Sequence, residues 1–337
     1  MLKTNDFFCG AGGMGLGFKH AGFKLSGAWD FDKYAVKTYY LNLSTNIRQA
    51  DIRQLSWDQI PCAHVWTFGF PCQDISIAGK QAGMIRNKTR SGLFYEIMRL
   101  LDETSANHPD QLPPIILAEN VKNVDKLLPE IKREYAIRDY VMYTTLYNSK
   151  YWQVPQNRER YFILGVHKNI NKPFHFAPEQ KSFIPKLSSV LEDQVDEKYY
   201  IPTNIILQAD KQLVINEKSP HIPIENHGNI HVVGRLNIRG QDNVRRVYNP
   251  EGIAPTLTTS EGGNRQPKVI LSSLNQGGLV DFKIRKLTPR EYARLQGFPD
   301  WFKQEVSNAQ FYKQMGNAIT VNVSYAIAKQ IANFLKG

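Results

Sequence analysis

DFFCGAGGMG, residues 6–15, joins a short apolar stretch to a segment with helical spacing. Gly10, Gly12 and Gly15 satisfy the spacing G-x-G-x-x-G, and Asp30 stands twenty residues after Gly10. Glycines let the chain turn sharply out of a strand and let a ligand approach the exposed amides of the helix that follows. A carboxylate at the end of the second strand suits ribose hydroxyls. The turn by itself leaves three readings open: an NAD site, an S-adenosylmethionine site, or a tight turn that holds nothing.

Working outward from this turn, short apolar strands are expected at 3–8, 24–29, 65–70 and 114–118, with later ones at 140–147 and 160–166. Leu93, Phe94, Ile97, Leu100 and Leu101 recur at helical spacing, so 92–102 reads as a helix with one apolar face. The alternation predicts an α/β fold with a doubly wound, mostly parallel sheet covered on both faces. Residues 168–284 lose the alternation and carry short β-like pieces such as HVVGRL and PKVIL. Helical periodicity returns in KLTPREYARLQGF and in 318–335, so the β-rich part reads as an insertion whose closing helix rejoins the first domain.

The 337 residues carry a net charge of +11, which favours a polyanionic partner. No run of about 18 apolar residues occurs and the N-terminus has no apolar signal core, so no membrane association is expected. Cys9, Cys62 and Cys72 make neither a disulfide ladder nor a C-x-x-C metal pattern. Their plainest reading is three buried thiols in a reduced, cytoplasmic protein with no metal.

Position separates the cysteines. In open α/β sheets ligands collect beyond the carboxyl ends of the strands. Cys72 follows VWTFGF and Pro71, which restrains the chain leaving that strand; Cys62 precedes the strand and falls at the opposite edge. Cys72 is therefore the candidate reactive thiol, against the alternative of a small buried hydrophobe. Glu119 at the end of PIILA would lie close to it, or simply cap the next helix. Gln156, Arg158 and Arg160 alternate, so they are expected on one face of a strand, to orient a carboxylate or bind phosphate, or else on a solvated edge.

Taken in order, DFFCGAGG, GFPCQ, ENV and QNRER, followed by RKLTPREYARLQGFPD (285–300) and QMGNAITVNV (314–323), resemble the motifs of the (cytosine-5) DNA methyltransferase family over nearly the whole chain. The resemblance implies an S-adenosylmethionine-dependent fold, with 1–200 plus 305–337 as catalytic and cofactor domain, 201–286 as a smaller, irregular β-rich target-recognition domain, and 287–304 as hinge. It implies that Cys72 adds to C6 of a flipped-out cytosine in double-stranded DNA. Glu119 would hold N3 and the exocyclic amine, Arg160 the base and Glu119, and Arg158 would support them. Phe8 would stack near adenine, Gly10, Gly12 and Gly13 admit the methionine part, Asp30 accept ribose hydroxyls, and Asp51 with Ile52 bind the adenine edge. Asn317 would lie at the methionine end, and Phe31, Pro71 and Leu93 complete the implied cofactor set. The family commonly has Glu where this chain has the shorter Asp30.

Because the target carbon is stacked inside a duplex, the nucleotide must be extruded. Residues 73–92, with Gly79, Gly83 and several Lys and Arg, suit a basic loop closing over DNA; Gln73, Ser76 and Arg90 are its implied DNA contacts. In the insertion, Arg245 and Arg246 are candidates for phosphate or guanine, and Thr256, Gly262 and Gly263 for the backbone or groove. An NAD oxidoreductase would explain the glycine turn but not Cys72, Glu119 and the arginines. A tRNA cytosine-5 methyltransferase is the nearer rival, disfavoured by the substantial insertion; a silent DNA-binding module is disfavoured because the chemical residues are present. The family prior is a monomer that serves as the modification arm of a restriction system, with a cognate endonuclease acting on the same site without contact.

Overall fold

Strand β1 (Lys3–Phe7) pairs in parallel with both β2 (Lys24–Asp30) and β4 (Val65–Phe68), and these pairings seed a seven-stranded sheet. The order is β3-β2-β1-β4-β5-β7-β6, with β3 at Ile47–Gln49, β5 at Ile115–Val121, β6 at Tyr140–Asn148 and β7 at Glu159–His167. Only β7 breaks the parallel run, pairing antiparallel with both β5 and β6. The computed structural model describes residues 1–71, 91–202, 207–208, 225–260, 265–274 and 280–337.

Alternation along β5 shows why the sheet needs two covers. Ile116 and Ala118 face one core with Phe94, Ile97 and Ile131, whereas Ile115 and Leu117 face another with Phe18, Ile327 and Ile331. A strand buried on both faces must be apolar throughout, and PIILA is. Helices α3 (Phe94–Asn107) and α4 (Leu128–Ile137) close the first face. The second is closed by α1 (Gly13–His20) against the C-terminal helix α8 (Val321–Lys336). Between β2 and β3 runs α2 (Lys33–Asn42), N-capped by the Asp32 side chain, which accepts from the Tyr34 amide.

The insertion forms a six-stranded sheet from β8 (Leu207–Gln208), β9 (Glu225–His227), β10 (Ile230–Leu236), β11 (Arg246–Tyr248), β12 (Lys268–Leu274) and β13 (Val280–Lys286). A short helix, α5 (Asp242–Arg245), precedes β11, and α6 (Pro289–Leu295) and α7 (Asn308–Asn317) lead back to α8. This sheet shares a core with the first domain: Val232, Tyr248, Leu257 and Val269 belong to one apolar cluster with Ala11, Leu16 and Met315.

A hydrogen-bonded seam runs between the two parts. The Ala254 amide donates to Pro155 O (2.7 Å) and the Asn157 amide to Ala254 O (2.9 Å). Gln156 is completely buried, its amide nitrogen donating to Leu295 O and its oxygen accepting from the Leu257 amide. Gly316 packs so tightly on this segment that a Cβ there would stand 2.2 Å from Thr258 O.

Candidate active site

The glycine turn is built as its sequence demands. Gly10 and Gly12 have φ of 55° and 93°, and the aromatic Phe8 is held at 53°, a left-handed value bulky residues rarely adopt. Asp30 staples the turn: one carboxylate oxygen accepts from the Gly10 amide and the other from the Asp32 amide, both at 2.8 Å. Burial pushes the Asp30 carboxyl pKa upward, opposed by those two amide bonds. A Cβ on Gly10 would meet nothing within 4 Å, whereas one on Gly13 would strike Ile319 O at 2.1 Å. Gly12 corrects the expectation that it faces the ligand: it is off the cavity wall, and a Cβ there would strike Leu43 and Tyr39.

Beyond the carboxyl ends of β1, β2, β4 and β5 opens a cavity of about 810 Å³. Apart from Gly12, every described residue expected in the catalytic and cofactor sets lines it. Phe31 stands 73% exposed at its rim, free to lie against a flat ring. Asp51 caps a 3-10 turn over Ile52–Gln54 and is ion-paired with Arg53, which holds its carboxyl below the usual range.

Glu119 lies in β5 one residue past the last β4–β5 pair, Phe68 with Ala118, so its side chain emerges where the neighbouring strand has ended. It does not cap a helix, and β5 continues to Val121. Arg160 Nε lies 3.1 Å from Glu119 Oε1. Burial raises the Glu119 pKa, and the charges of Arg160 and then Arg158 oppose the rise.

Arg158 and Arg160 both line the cavity and the solvated strand edge is ruled out, whereas Gln156, completely buried, lies off the cavity wall. β7 begins only at Glu159 and lies between β5 and β6; Gln156 turns into the seam because two backbone groups there need a partner. Arg158, 2% exposed, donates from Nη2 to Gly316 O (3.1 Å) and Ala318 O (2.9 Å) and from Nη1 to Leu257 O (3.4 Å). It thereby grips the carbonyl oxygens of the two residues on either side of Asn317.

Two further residues fix the exit from β4. Asn120 Nδ2 donates to Phe70 O (3.0 Å) and Ser91 Oγ to Pro71 O (2.9 Å). Neither was singled out from sequence, although a buried amide inside an apolar strand was a usable signal for Asn120. Cys72, Gln73, Ser76, Arg90, Gly262 and Gly263 lie outside the described residues. Of the other cysteines, Cys9 is buried and its thiol pKa pushed well up by desolvation, while Cys62 is exposed, correcting the expectation of three buried thiols. Cys62 precedes β4, at the edge away from the cavity.

The described DNA-contact candidates of the insertion lie off the cavity wall. Arg245 Nε donates to Leu236 O (3.1 Å), Arg246 pairs with Asp242, and Thr256 Oγ1 donates to Asn157 O (2.5 Å) beside Arg158.

Comparison with known proteins accounts for this arrangement. Residues 2–333 match the family described as C-5 cytosine-specific DNA methylase. The chain belongs to that family. Similar proteins include the type II methyltransferases M.HhaI of Haemophilus parahaemolyticus, 30% identical over 99% of this chain and 95% of that protein, and M.NlaX of Neisseria lactamica, 32% identical over 98% and 96%. The orphan methyltransferase M.SPBetaI of Bacillus phage SPbeta is 29% identical over 98% and 97%. The S. pombe Dnmt2 methyltransferase has the same fold, with a TM-score of 0.70 at 20% identity over the whole of both chains. The enzyme is a DNA cytosine-5 methyltransferase that takes its methyl group from S-adenosylmethionine.

The open space at Gly10, the exposed ring of Phe31 and the carboxylate of Asp30 fit an adenosyl group. Among the described residues, no cluster of His, Cys, Asp and Glu could hold a metal ion, and no helix is long and apolar enough to cross a membrane.

Beneath the turn lies a buried carboxylate that is expected to make stability depend on pH. Asp6 is buried, one oxygen accepting from Thr67 Oγ1 (2.9 Å). Burial pushes its pKa up to about 7 from 3.8. The folded state therefore keeps a proton that the unfolded chain releases near 3.8, so this contribution is full below that pH and is lost as pH rises through about 7. Asp6→Asn, a mimic of the protonated form, is expected to be more stable than wild type at high pH, by at most about 4 kcal/mol. Its advantage should vanish towards pH 4; denaturation curves across the range, with a pH-independent difference, would refute the assignment.

Proposed function

We propose that the enzyme methylates C5 of a cytosine flipped out of a specific double-stranded DNA sequence, through a covalent bond between Cys72 and C6. The observation that carries this reading is the ion pair of buried Glu119 with half-buried Arg160 in the wall of the cavity that also contains the glycine turn. The chain leaves β4 through Pro71, on the same wall, directly into Cys72.

When bound, S-adenosylmethionine supplies an electrophilic methyl group on a positively charged sulfur. Phe8 and Phe31 would lie beside its adenine, Asp30 would accept from the ribose, Asp51 and Ile52 would read the adenine edge, and Gly10 and Gly13 would leave room for the chain. Pro71, Leu93 and Asn317 complete the contacts. The Cys72 thiolate adds to C6 while Glu119, protonated, hydrogen-bonds N3 and draws electron density from the ring. C5 then takes the methyl group, and loss of the C5 proton to a base expels the thiolate. Arg160 orients Glu119 and the base, and Arg158 fixes the peptide presenting Asn317. Water must be excluded for the weakly acidic Glu119 to act, and its burial supports that.

Residues 201–286 serve as the target-recognition unit, 1–200 with 305–337 as the catalytic unit, and 287–304 as the joint. Gln73, Ser76, Arg90, Arg245, Arg246, Thr256, Gly262 and Gly263 contact the DNA. The enzyme acts in the cytoplasm as a monomer and as the modification arm of a restriction system, its cognate endonuclease reading the same site without touching it. The type II names of its relatives support that role.

Fluorine at C5 cannot depart as a cation, so elimination stalls after methyl transfer. A duplex with 5-fluorocytosine at the target should trap the enzyme as an adduct that survives denaturing electrophoresis in the presence of S-adenosylmethionine. Cys72→Ser should abolish trapping, because a hydroxyl is a far weaker nucleophile than a thiolate. Cys9→Ser and Cys62→Ser should trap as wild type. Normal trapping by Cys72→Ser, or trapping on a structured RNA but on no duplex, would overturn the reading.

A further inference from the structure

One wall of the cofactor cavity is held in place by a residue that does not itself line it. The 3-10 turn Ile52–Gln54 is short, and the carbonyls of Ile52 and Leu55 face the adjacent helix α3. One residue of that helix gathers them: Arg99 Nη2 donates to both Ile52 O and Leu55 O, each at 3.0 Å. The rest of its guanidinium is also engaged, Nε donating to Glu96 (2.8 Å) and Nη1 to Glu103 (2.5 Å). Glu96 lines the cavity, whereas Arg99 and Glu103 do not. The side chain of Arg99 is 27% exposed, so its charge-assisted bonds are shielded from full competition by water.

We propose that Arg99 is a positioning residue for recognition of the adenine edge: by clamping the Ile52 and Leu55 carbonyls to α3 it sets the orientation in which Asp51 and Ile52 meet the base. The proposal rests on the assignment of Asp51 and Ile52 to the adenine edge. Ile52 and Leu55 also sink their side chains into the core shared with Phe94, Ile97 and Met98. The apolar contacts hold the turn down, and the guanidinium determines how it is rotated. Loss of Arg99 should therefore loosen recognition without unfolding the protein. Lysine keeps the charge but cannot present a planar fork to two carbonyls and two carboxylates at once.

The test is calorimetry with S-adenosylhomocysteine and with its inosine counterpart, in which a carbonyl replaces the adenine amine. Arg99→Lys should weaken S-adenosylhomocysteine binding about tenfold, as expected for losing one bond to a charged group, and shrink the preference for adenine by a similar factor. The kcat at saturating S-adenosylmethionine should stay within about twofold of wild type, since the reacting atoms are untouched. Glu103→Gln removes the neighbouring ion pair but neither carbonyl contact, and should leave affinity and preference unchanged. An Arg99→Lys enzyme that keeps both, or a Glu103→Gln enzyme that loses both, would overturn the proposal. Asp51→Ala separates the two layers: if it leaves the adenine preference intact, the edge assignment itself is wrong. If it destroys the preference while Arg99→Lys preserves it, only the positioning role fails.

Discussion

Glu119→Gln is expected to lower kcat by about 10²- to 10⁴-fold, the usual worth of a positioned proton donor, in a protein that remains folded. The substitution keeps size and one hydrogen-bond acceptor but replaces an acid by an amide that cannot give up its proton to N3. Burial raises the Glu119 pKa, which keeps a protonated fraction available closer to neutrality, while Arg160 at 3.1 Å limits the rise. Wild-type single-turnover methyl transfer should therefore fall as pH increases through that raised pKa. The residual rate of Glu119→Gln should lack this limb. Since the amide carries no charge to desolvate, Glu119→Gln should melt no lower than wild type. A variant that transferred methyl groups within about threefold of the wild-type rate would remove Glu119 from the chemistry.

Glu291→Ala should be the most damaging single change to stability, at about 3–5 kcal/mol. Arg285 and Glu291 pair at 2.6 Å with side chains only 1% and 0% exposed. The same carboxylate accepts from both guanidinium nitrogens and from the amides of Thr288 and Glu192 (2.8 Å each). Removing it strands a buried cation and two amides where β13, α6 and the segment before the second sheet converge. Denaturant titration of Glu291→Ala checks the figure. An Arg285→Met, Glu291→Leu double variant should recover much of the loss, because the charges then vanish together. The exposed Arg294–Asp300 pair serves as the contrast: Asp300→Ala should cost at most about 1 kcal/mol. A Glu291→Ala loss no larger than that would contradict the buried-pair account.

The glycine turn, Glu119 and Arg160 were legible in the chain because each is local: a spacing, a strand end, an alternation. β3 was not, since Ile47–Gln49 buries only Ile47 and a three-residue edge strand has no period to detect. The direction of β7 was equally hidden, because YFILGV reads as a doubly buried strand whichever way it runs. Glu291 is spaced from Thr288 as in a capping box, a local pattern that marks a helix start and carries no sign of Arg285 closing over it. Arg99 escaped, and so did the partners of Arg158, for a common reason: both side chains act on backbone oxygens, and any residue type supplies those. Leu257, Gly316 and Ala318, the residues Arg158 grips, are some hundred or more positions away.

The seam between the two sheets bears on how such enzymes exchange specificity. Residues 254–257 belong to the insertion by chain position, yet they are bonded to Pro155, Gln156, Asn157 and Arg158 of the catalytic part. A cassette spanning 201–286 would thus carry off part of the host's floor and replace it with a donor's version shaped to another framework. Crossover points that leave 254–259 with the recipient would divide the donor material into two pieces on either side of it. On the proposed division of labour, specificity would have to be transplanted as a pair of flanking grafts around a retained native thread.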